Sequence, residues 1–260
     1  MKTSKSGSVY LKKVKKNIIL LLKKPSGNYE SEDYHKLRVE IKKLKAAVSF
    51  IKFTHQSFSK RKVLKPFEKI YHQAGAIREL QLEATYLQKD HPEFIEKYLL
   101  DLAGRIDKEK KRFALLLTKN PLPRIKAAIK RMKPYLEHSS QTDSNQFIRH
   151  ERKRIARLTR QLPMKPSKVH KLRKLLKKDF YNRKRCDGPS RNIKAEDDFL
   201  QLLGRWHDCV ILNNQVGASV LQAEIDPAEL AELLKINAAA SAQSENLFIQ
   251  INEELQKGFF

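Results

Sequence analysis

The sequence has very little from which a covalent, metal-bound or β-sheet framework could be built. Two cysteines, Cys186 and Cys209, stand among 260 residues, too few by themselves for a disulfide lattice or a metal site. Inert thiols in a reducing compartment are the expectation. Glycine and proline are scarce, at eight and ten, and no alternating apolar–polar stretch of useful strand length occurs. Long apolar runs are missing too. The run "NIILLL" is six residues flanked by lysines, too short for a signal peptide or a membrane span. There is no Walker loop, nucleophile elbow, kinase signature, zinc-type spacing or helix-turn-helix spacing. Nor is a carboxylate pair set for a phosphate-cleaving metal. The expectations are a cytoplasmic chain with no catalytic role, no cofactor, no metal and no membrane association.

What is abundant is helix-forming residues and positive charge. Lysine and arginine total 54 against 29 aspartates and glutamates, a net charge of +25. With 40% apolar and 32% charged residues, the composition is that of a globular protein rather than a disordered one. The charge is unevenly placed. From Ala195 onward the net is −8, so the first 194 residues carry +33. Such an excess strains a compact chain through self-repulsion, which either a solvated surface or a bound polyanion would relieve.

Helical period dominates throughout, so the fold class is all-α. Helices are expected at about 9–24, 31–54, 60–89 (adjusted near Pro66), from "DHPEF" to "TKNPLP", and at 123–138. A second set is expected at about 145–161, 167–186, 192–217 and 227–257. The joints are Pro, Gly, Asp or Asn clusters, which punctuate helices, and helical hairpins in bundles are the natural packing. The polar stretch "HSSQTDSNQ" is the best internal boundary. It divides a single domain spanning 1–260 into halves of about 8–138 and 141–257.

The chain also repeats itself. "YHKLRVEIKKLKA" starts at Tyr34 and "VHKLRKLLKKDFY" at Val169; aligned on His35 and His170, six letters are identical. A second pair follows in each half. "AGAIRELQL" holds Gly75, Arg78 and Glu79, and "LLGRWHDCVIL" holds Gly204, His207 and Asp208. The separations are 135 and 129 residues, which argues for a duplication. On a helix, His35, Arg38, Lys42 and Lys45 form one stripe, beside an apolar stripe of Leu37, Ile41, Leu44, Val48 and Ile51. His170, Arg173 and Lys177 repeat the spacing, with Leu172, Leu175, Leu176 and Phe180 as apolar partners. Lys43, Lys171, Lys174 and Lys178 broaden the basic faces. Like charges at this spacing cost about 0.2–0.5 kcal/mol per pair, so helix stability does not ask for them. Further basic runs surround Arg149 and Lys153, which share a face with Arg157 while Ile148, Ile155 and Leu158 face the core, and also Arg105, Lys108 and Arg112, and Arg124 to Lys133. Taken singly, each of these runs is also what a solvated face looks like.

These motifs resemble the CHAD domain, the conserved histidine α-helical domain. Its first signature is similar to His35, Arg38, Val39, Lys42 and Lys43, and its second to His170, Arg173, Lys177, Lys178 and Tyr181. The family's Arg-Asp pair corresponds to Arg78-Glu79, and its later pattern to Leu200 through Gly204 with Asp208. Glu79 in place of Asp, and His207 at a position often polar but uncharged, are departures. The resemblance runs from about residue 8 to residue 257, and without β-barrel strands of a fused triphosphate tunnel domain it looks like a stand-alone copy. It implies two four-helix-bundle-like halves related by a pseudo-two-fold axis. It also implies a basic groove or pore that binds inorganic polyphosphate.

Polyphosphate has roughly one negative charge per phosphate and no bases, so it asks for cations along a path. Helix positions i to i+10 span about 15 Å. Arg38 and Arg173 offer planar forks and the lysines mobile point charges, and His35 and His170 add donors when protonated. The candidate polyphosphate-binding residues are His35, Arg38, Lys42, Lys43, Lys45, Arg78, Arg149, Lys153, His170, Arg173, Lys177 and Lys178. Glu79 and Asp208 read as structural. A metal is disfavoured because both motif histidines sit among cations. Nucleic acid is the rival ligand, since clustered arginine and a pI near 10.0 suit any phosphate polymer, although no aromatic residues interleave with the basic stripes for base stacking. Storage, targeting to polyphosphate granules and regulation all remain open as roles, and protein partners are not indicated.

Overall fold

A chain rich in lysine, leucine and alanine, with few helix breakers, gives helix almost everywhere. In the computed structural model, residues 4–90, 94–186, 193–220 and 225–258 are described, with no strand among them. In order, α1 is Ser4–Lys23, α2 Ser31–Thr54, α3 Lys60–Leu64, α4 Glu68–Asp90, α5 Glu96–Thr118 and α6 Leu122–Lys130. Then α7 is Lys133–Glu137, α8 Gln141–Thr159, α9 Pro166–Cys186, α10 Ile193–Val220 and α11 Pro227–Gln256.

Local chemistry explains several boundaries. At the start of α2 the Glu30 amide donates to Asp33 Oδ2 at 2.9 Å, and Lys24 Nζ lies 2.5 Å from the same carboxylate. Burial opposes ionisation of Asp33, but the hydrogen bonds from Lys24 and Glu30 outweigh it and hold its pKa below the usual carboxylate range. Pro66 has no N–H to donate, and a 3-10 turn over Lys65–Phe67 separates α3 from α4. The segment read as one helix over 123–138 is two. Pro134 sits in the first turn of α7, where its missing N–H is harmless but would break a continuous helix. Within the polar stretch at 138–146, α8 already begins at Gln141, about four residues before the expected start. Ser140 and Asp143 cap α8 reciprocally, the Asp143 amide donating to Ser140 Oγ at 3.1 Å and the Ser140 amide to Asp143 Oδ2 at 2.8 Å.

The chain forms two compact units. One comprises Met1–Gly75, Lys111–Leu158 and Lys174–Ile193; the other comprises Ala76–Lys110, Thr159–Arg173 and Lys194–Phe260. Chain from both sides of residue 140 contributes to each. In the first unit, α1 packs along α2 and against α6 and α7. The α2 stripe of Leu37, Ile41, Leu44, Val48 and Ile51 is 0% exposed, each side chain worth roughly 1.5–3 kcal/mol of burial. Tyr29, Tyr34 and Phe113 form a mutual aromatic cluster with centroids 5.1–5.2 Å apart. In the second unit, Leu80, Leu87, Ile95, Tyr98, Leu102, Leu212, Val216, Leu233 and Ile236 form the core. Two of its buried polar side chains tie down helix and loop backbone. Glu229 accepts from the Lys97 amide at the start of α5 (2.7 Å), and Asn252 Oδ1 accepts from the Met164 amide (2.7 Å).

Candidate functional site

The first motif lies on α2, where the fully buried leucine–isoleucine stripe turns the basic stripe outward. His35 is exposed, and Arg38, Lys42, Lys43 and Lys45 are half-buried. Arg38 does not trail in solvent. Its Nη1 donates to the Gly75 carbonyl of α4 at 3.1 Å. A Cβ on Gly75 would lie 3.4 Å from the guanidinium carbon, in van der Waals contact, so the guanidinium plane packs directly over the glycine. One turn earlier on α4, the Tyr71 ring faces both cations, with Lys45 Nζ 3.4 Å and Arg38 Cζ 5.5 Å from its centroid. Burial, and then the charge of Arg38, pull the Lys45 pKa down, with Glu68 opposing. Lys43 Nζ is paired with the buried Glu40 at 2.6 Å. Tyr71 escaped the sequence reading because no aromatic interrupts the basic stripe itself. The signal was its position four residues before Gly75, which puts both on one face of α4.

The second motif begins α9. His170, like His35, is the fifth residue of its helix. Its ring stacks on His207 of α10, with centroids 5.0 Å apart and planes within 13°. Asp208 Oδ1 lies 3.7 Å from His207 Nδ1, beyond hydrogen-bond distance, and Asp208 is half exposed. Arg173 is half-buried, and Gly204 has no atom within 4 Å of where a Cβ would sit.

The rest of α9 belongs to the first unit and is a built polar seam. Lys177 is half-buried. Lys178 Nζ meets Glu151 Oε2 of α8 at 2.5 Å, and Arg154 Nη1 donates to Glu151 Oε1 at 2.9 Å. Burial lowers the Lys178 pKa while Glu151 opposes that shift. Phe180 was expected in the apolar stripe; it is only half-buried, with Lys184 Nζ 4.2 Å from its ring centroid. Asp179, 3% exposed, takes the core position instead, because Arg183 one turn on donates to it at 2.8 Å. Asn182 Nδ2 donates to the Ala46 carbonyl at 3.2 Å, and the Arg185 guanidinium lies 3.7 Å from the Phe50 ring centroid.

On α8, Arg149 and Lys153 are exposed. The face turned inward is Ser144, Phe147, Glu151 and Ile155. Of the three apolar residues expected there, only Ile155 is buried; Ile148 and Leu158 are half-buried, since Glu151 occupies the stripe as an ion-paired carboxylate. Arg78 is half-buried on α4, three residues beyond Gly75, beside Glu79. Among the described residues no cluster of metal-ligating side chains occurs, and no helix is long and apolar enough to cross a membrane.

The helices and their cation-rich faces define an all-α protein with basic side chains built into its packing. The chain belongs to the CHAD domain family, whose sequence model matches residues 11–216. Among solved structures, it is similar to the CHAD domain from the plant Ricinus communis. That match has a TM-score of 0.75 at 16% identity and covers 98% of this chain and 91% of that one. It is also similar to PptA from Streptomyces chartreusis, with a TM-score of 0.72 at 14% identity, covering 98% and 99%. At these identities the likeness is one of fold. No curated protein sequence matches the chain.

Proposed function

We propose that the protein binds inorganic polyphosphate, without turnover, on the basic faces of α2 and α9. CHAD domains are linked to polyphosphate binding in general. The main contacts in this reading are Arg38, Lys42, Lys45, Arg173 and Lys177. His35 and His170 add donors when protonated, and Arg78, Arg149 and Lys153 are further cationic contacts in this reading. Lys43 and Lys178 already hold carboxylates and would contribute mainly positive potential.

The observation that carries this reading is the holding of Arg38 and Lys45 against Tyr71 and Gly75. A merely solvated face leaves long cationic side chains to splay. Here two like charges are held at one aromatic ring, half out of water, where Arg38 already depresses the Lys45 pKa. An anionic ligand relieves that repulsion, and polyphosphate supplies closely spaced negative oxygens with no base to be stacked.

The test is a binding titration with polyphosphate of several lengths beside short RNA and heparin at matched phosphate concentration. Polyphosphate is expected to displace RNA, and RNA is expected not to displace polyphosphate. Replacing His35, Arg38, Lys42, His170, Arg173 and Lys177 by alanine is expected to abolish binding while helicity and the unfolding midpoint stay near those of the parent. Preferential retention of RNA would reassign the ligand to nucleic acid. Phosphate release from polyphosphate, with or without a divalent metal, would overturn the non-catalytic part.

A further inference from the structure

We infer that Tyr71 and Gly75 of α4 form a seat that positions Arg38 and Lys45 for a polyanion, which makes Tyr71 a positioning residue of the binding face. The binding half of this inference rests on the polyphosphate reading; the seat itself does not.

Arg38 and Lys45 are seven residues apart on α2, nearly two turns, or about 10 Å of helix rise. Left to themselves, two long cations at that spacing sample many rotamers and repel. The structure brings both to one ring. Lys45 Nζ is 3.4 Å from the Tyr71 centroid and Arg38 Cζ is 5.5 Å from it, both inside the range where the negative face of an aromatic ring attracts a cation. Gly75, one turn further on the same face of α4, sets the orientation of the guanidinium by accepting from Nη1 at 3.1 Å. An added Cβ would rest in van der Waals contact with the guanidinium at 3.4 Å, so a side chain longer than a methyl would displace it. A Tyr-x-x-x-Gly element thus does two jobs one turn apart. The ring offsets part of the repulsion, and the bare backbone fixes a plane. Ordering these side chains before the ligand arrives removes part of the entropy otherwise lost on binding.

Lys45 lies half-buried under the ring, so its amine reports on the seat without any ligand. The experiment compares Tyr71→Phe, Tyr71→Met and Gly75→Leu in the full chain. Two readouts are taken: affinity for long-chain polyphosphate, and the rate at which Lys45 is labelled by trinitrobenzenesulfonate, followed by peptide mass spectrometry. Phenylalanine keeps the ring and is expected to keep both readouts within about twofold of the parent. Methionine fills the space without a ring, and leucine at position 75 pushes the guanidinium away. Each is expected to weaken binding by about tenfold. Tyr71→Met is also expected to label Lys45 several-fold faster, whereas Gly75→Leu leaves that rate closer to the parent's. A parent that binds no polyphosphate defeats the proposed function alone, and the labelling rates then decide the seat. Unchanged Lys45 labelling in Tyr71→Met overturns the seat. So does unchanged polyphosphate affinity in both ring-less and Gly75→Leu variants of a binding-competent parent, as does failure of Tyr71→Phe to rescue.

Discussion

Lys43 and Lys178 occupy the same place in two similar strings of residues that share six letters, and each is paired with a glutamate. The origin of the partner differs. Glu40 lies one turn back on α2, whereas Glu151 comes from α8 and is all but fully buried, with Arg154 as a second cation. The surroundings of the two motif histidines diverge as well. His35 is exposed, while His170 is stacked on His207. The shared letters set the spacing of cations along a helix. The neighbours set what each cation does, whether it is held by a ring, matched by a carboxylate or left facing water.

This contrast can be tested in order of expected effect. Glu151→Ala strips a carboxylate from two cations and is expected to cost about 3 kcal/mol, read as a lower denaturant midpoint. Glu40→Ala removes an i,i+3 partner from a more exposed lysine and is expected to cost under about 1 kcal/mol. Equal costs would erase the distinction between a pair within one helix and a pair across two.

A second buried carboxylate contrasts with Glu151. Glu83, 0% exposed, accepts from the Tyr98 hydroxyl at 2.5 Å. Burial raises its pKa, against the hydrogen bond from Tyr98 and the charge of Arg105, while burial and then Glu83 push the Tyr98 phenol up to about 12. A raised carboxyl binds its proton more tightly in the folded state. Its stabilisation is therefore complete below the unfolded value and is lost as pH rises through the folded one. Glu83→Gln, which keeps the acceptor, is expected to raise the unfolding temperature at about pH 8 and to leave it unchanged at about pH 4. A gain that does not vary with pH would mean that the Glu83 carboxyl titrates alike in the folded and unfolded chain.

The smallest effects concern the paired glycines. Gly204→Ala enters open space and is expected to stabilise α10 by about 0.5–1 kcal/mol through lower backbone entropy in the unfolded chain. Gly75→Ala places its methyl against the Arg38 guanidinium at 3.4 Å, so a smaller gain is expected. Thermal unfolding of the two variants side by side separates a glycine kept for a neighbour from one that is not.

Helix α2 was readable to its end residues because a capping carboxylate, a strict apolar stripe and a polar stop all agree over Ser31–Thr54. The stripe Leu37 to Ile51 was readable for the same reason. Where polar residues serve two ends, the reading failed. The helix after "HSSQTDSNQ" was expected from about 145, yet Ser140 and Asp143 spend their polar atoms on a cap that starts it at Gln141. Asp179 and Glu151 look like surface residues in a one-dimensional pattern and are buried, because cations that pattern analysis assigned to solvent or ligand pair with them. The candidate list therefore mixed cations facing outward, such as Arg149 and Lys153, with Lys178, which already has a partner.

Composition and period by themselves determined that this chain is helical, that its basic charge lies before residue 195, and that two of its helices carry His-x-x-Arg-x-x-x-Lys stripes beside an apolar face. Those are properties of spacing along one helix, and spacing is written in the chain. Only the tertiary structure decided that Tyr71 and Gly75 meet Arg38 and Lys45, that Glu151 meets Lys178, and that His207 meets His170. Such pairings depend on which helix packs against which, and cationic side chains, alike in sequence, differ physically only through the groups brought against them.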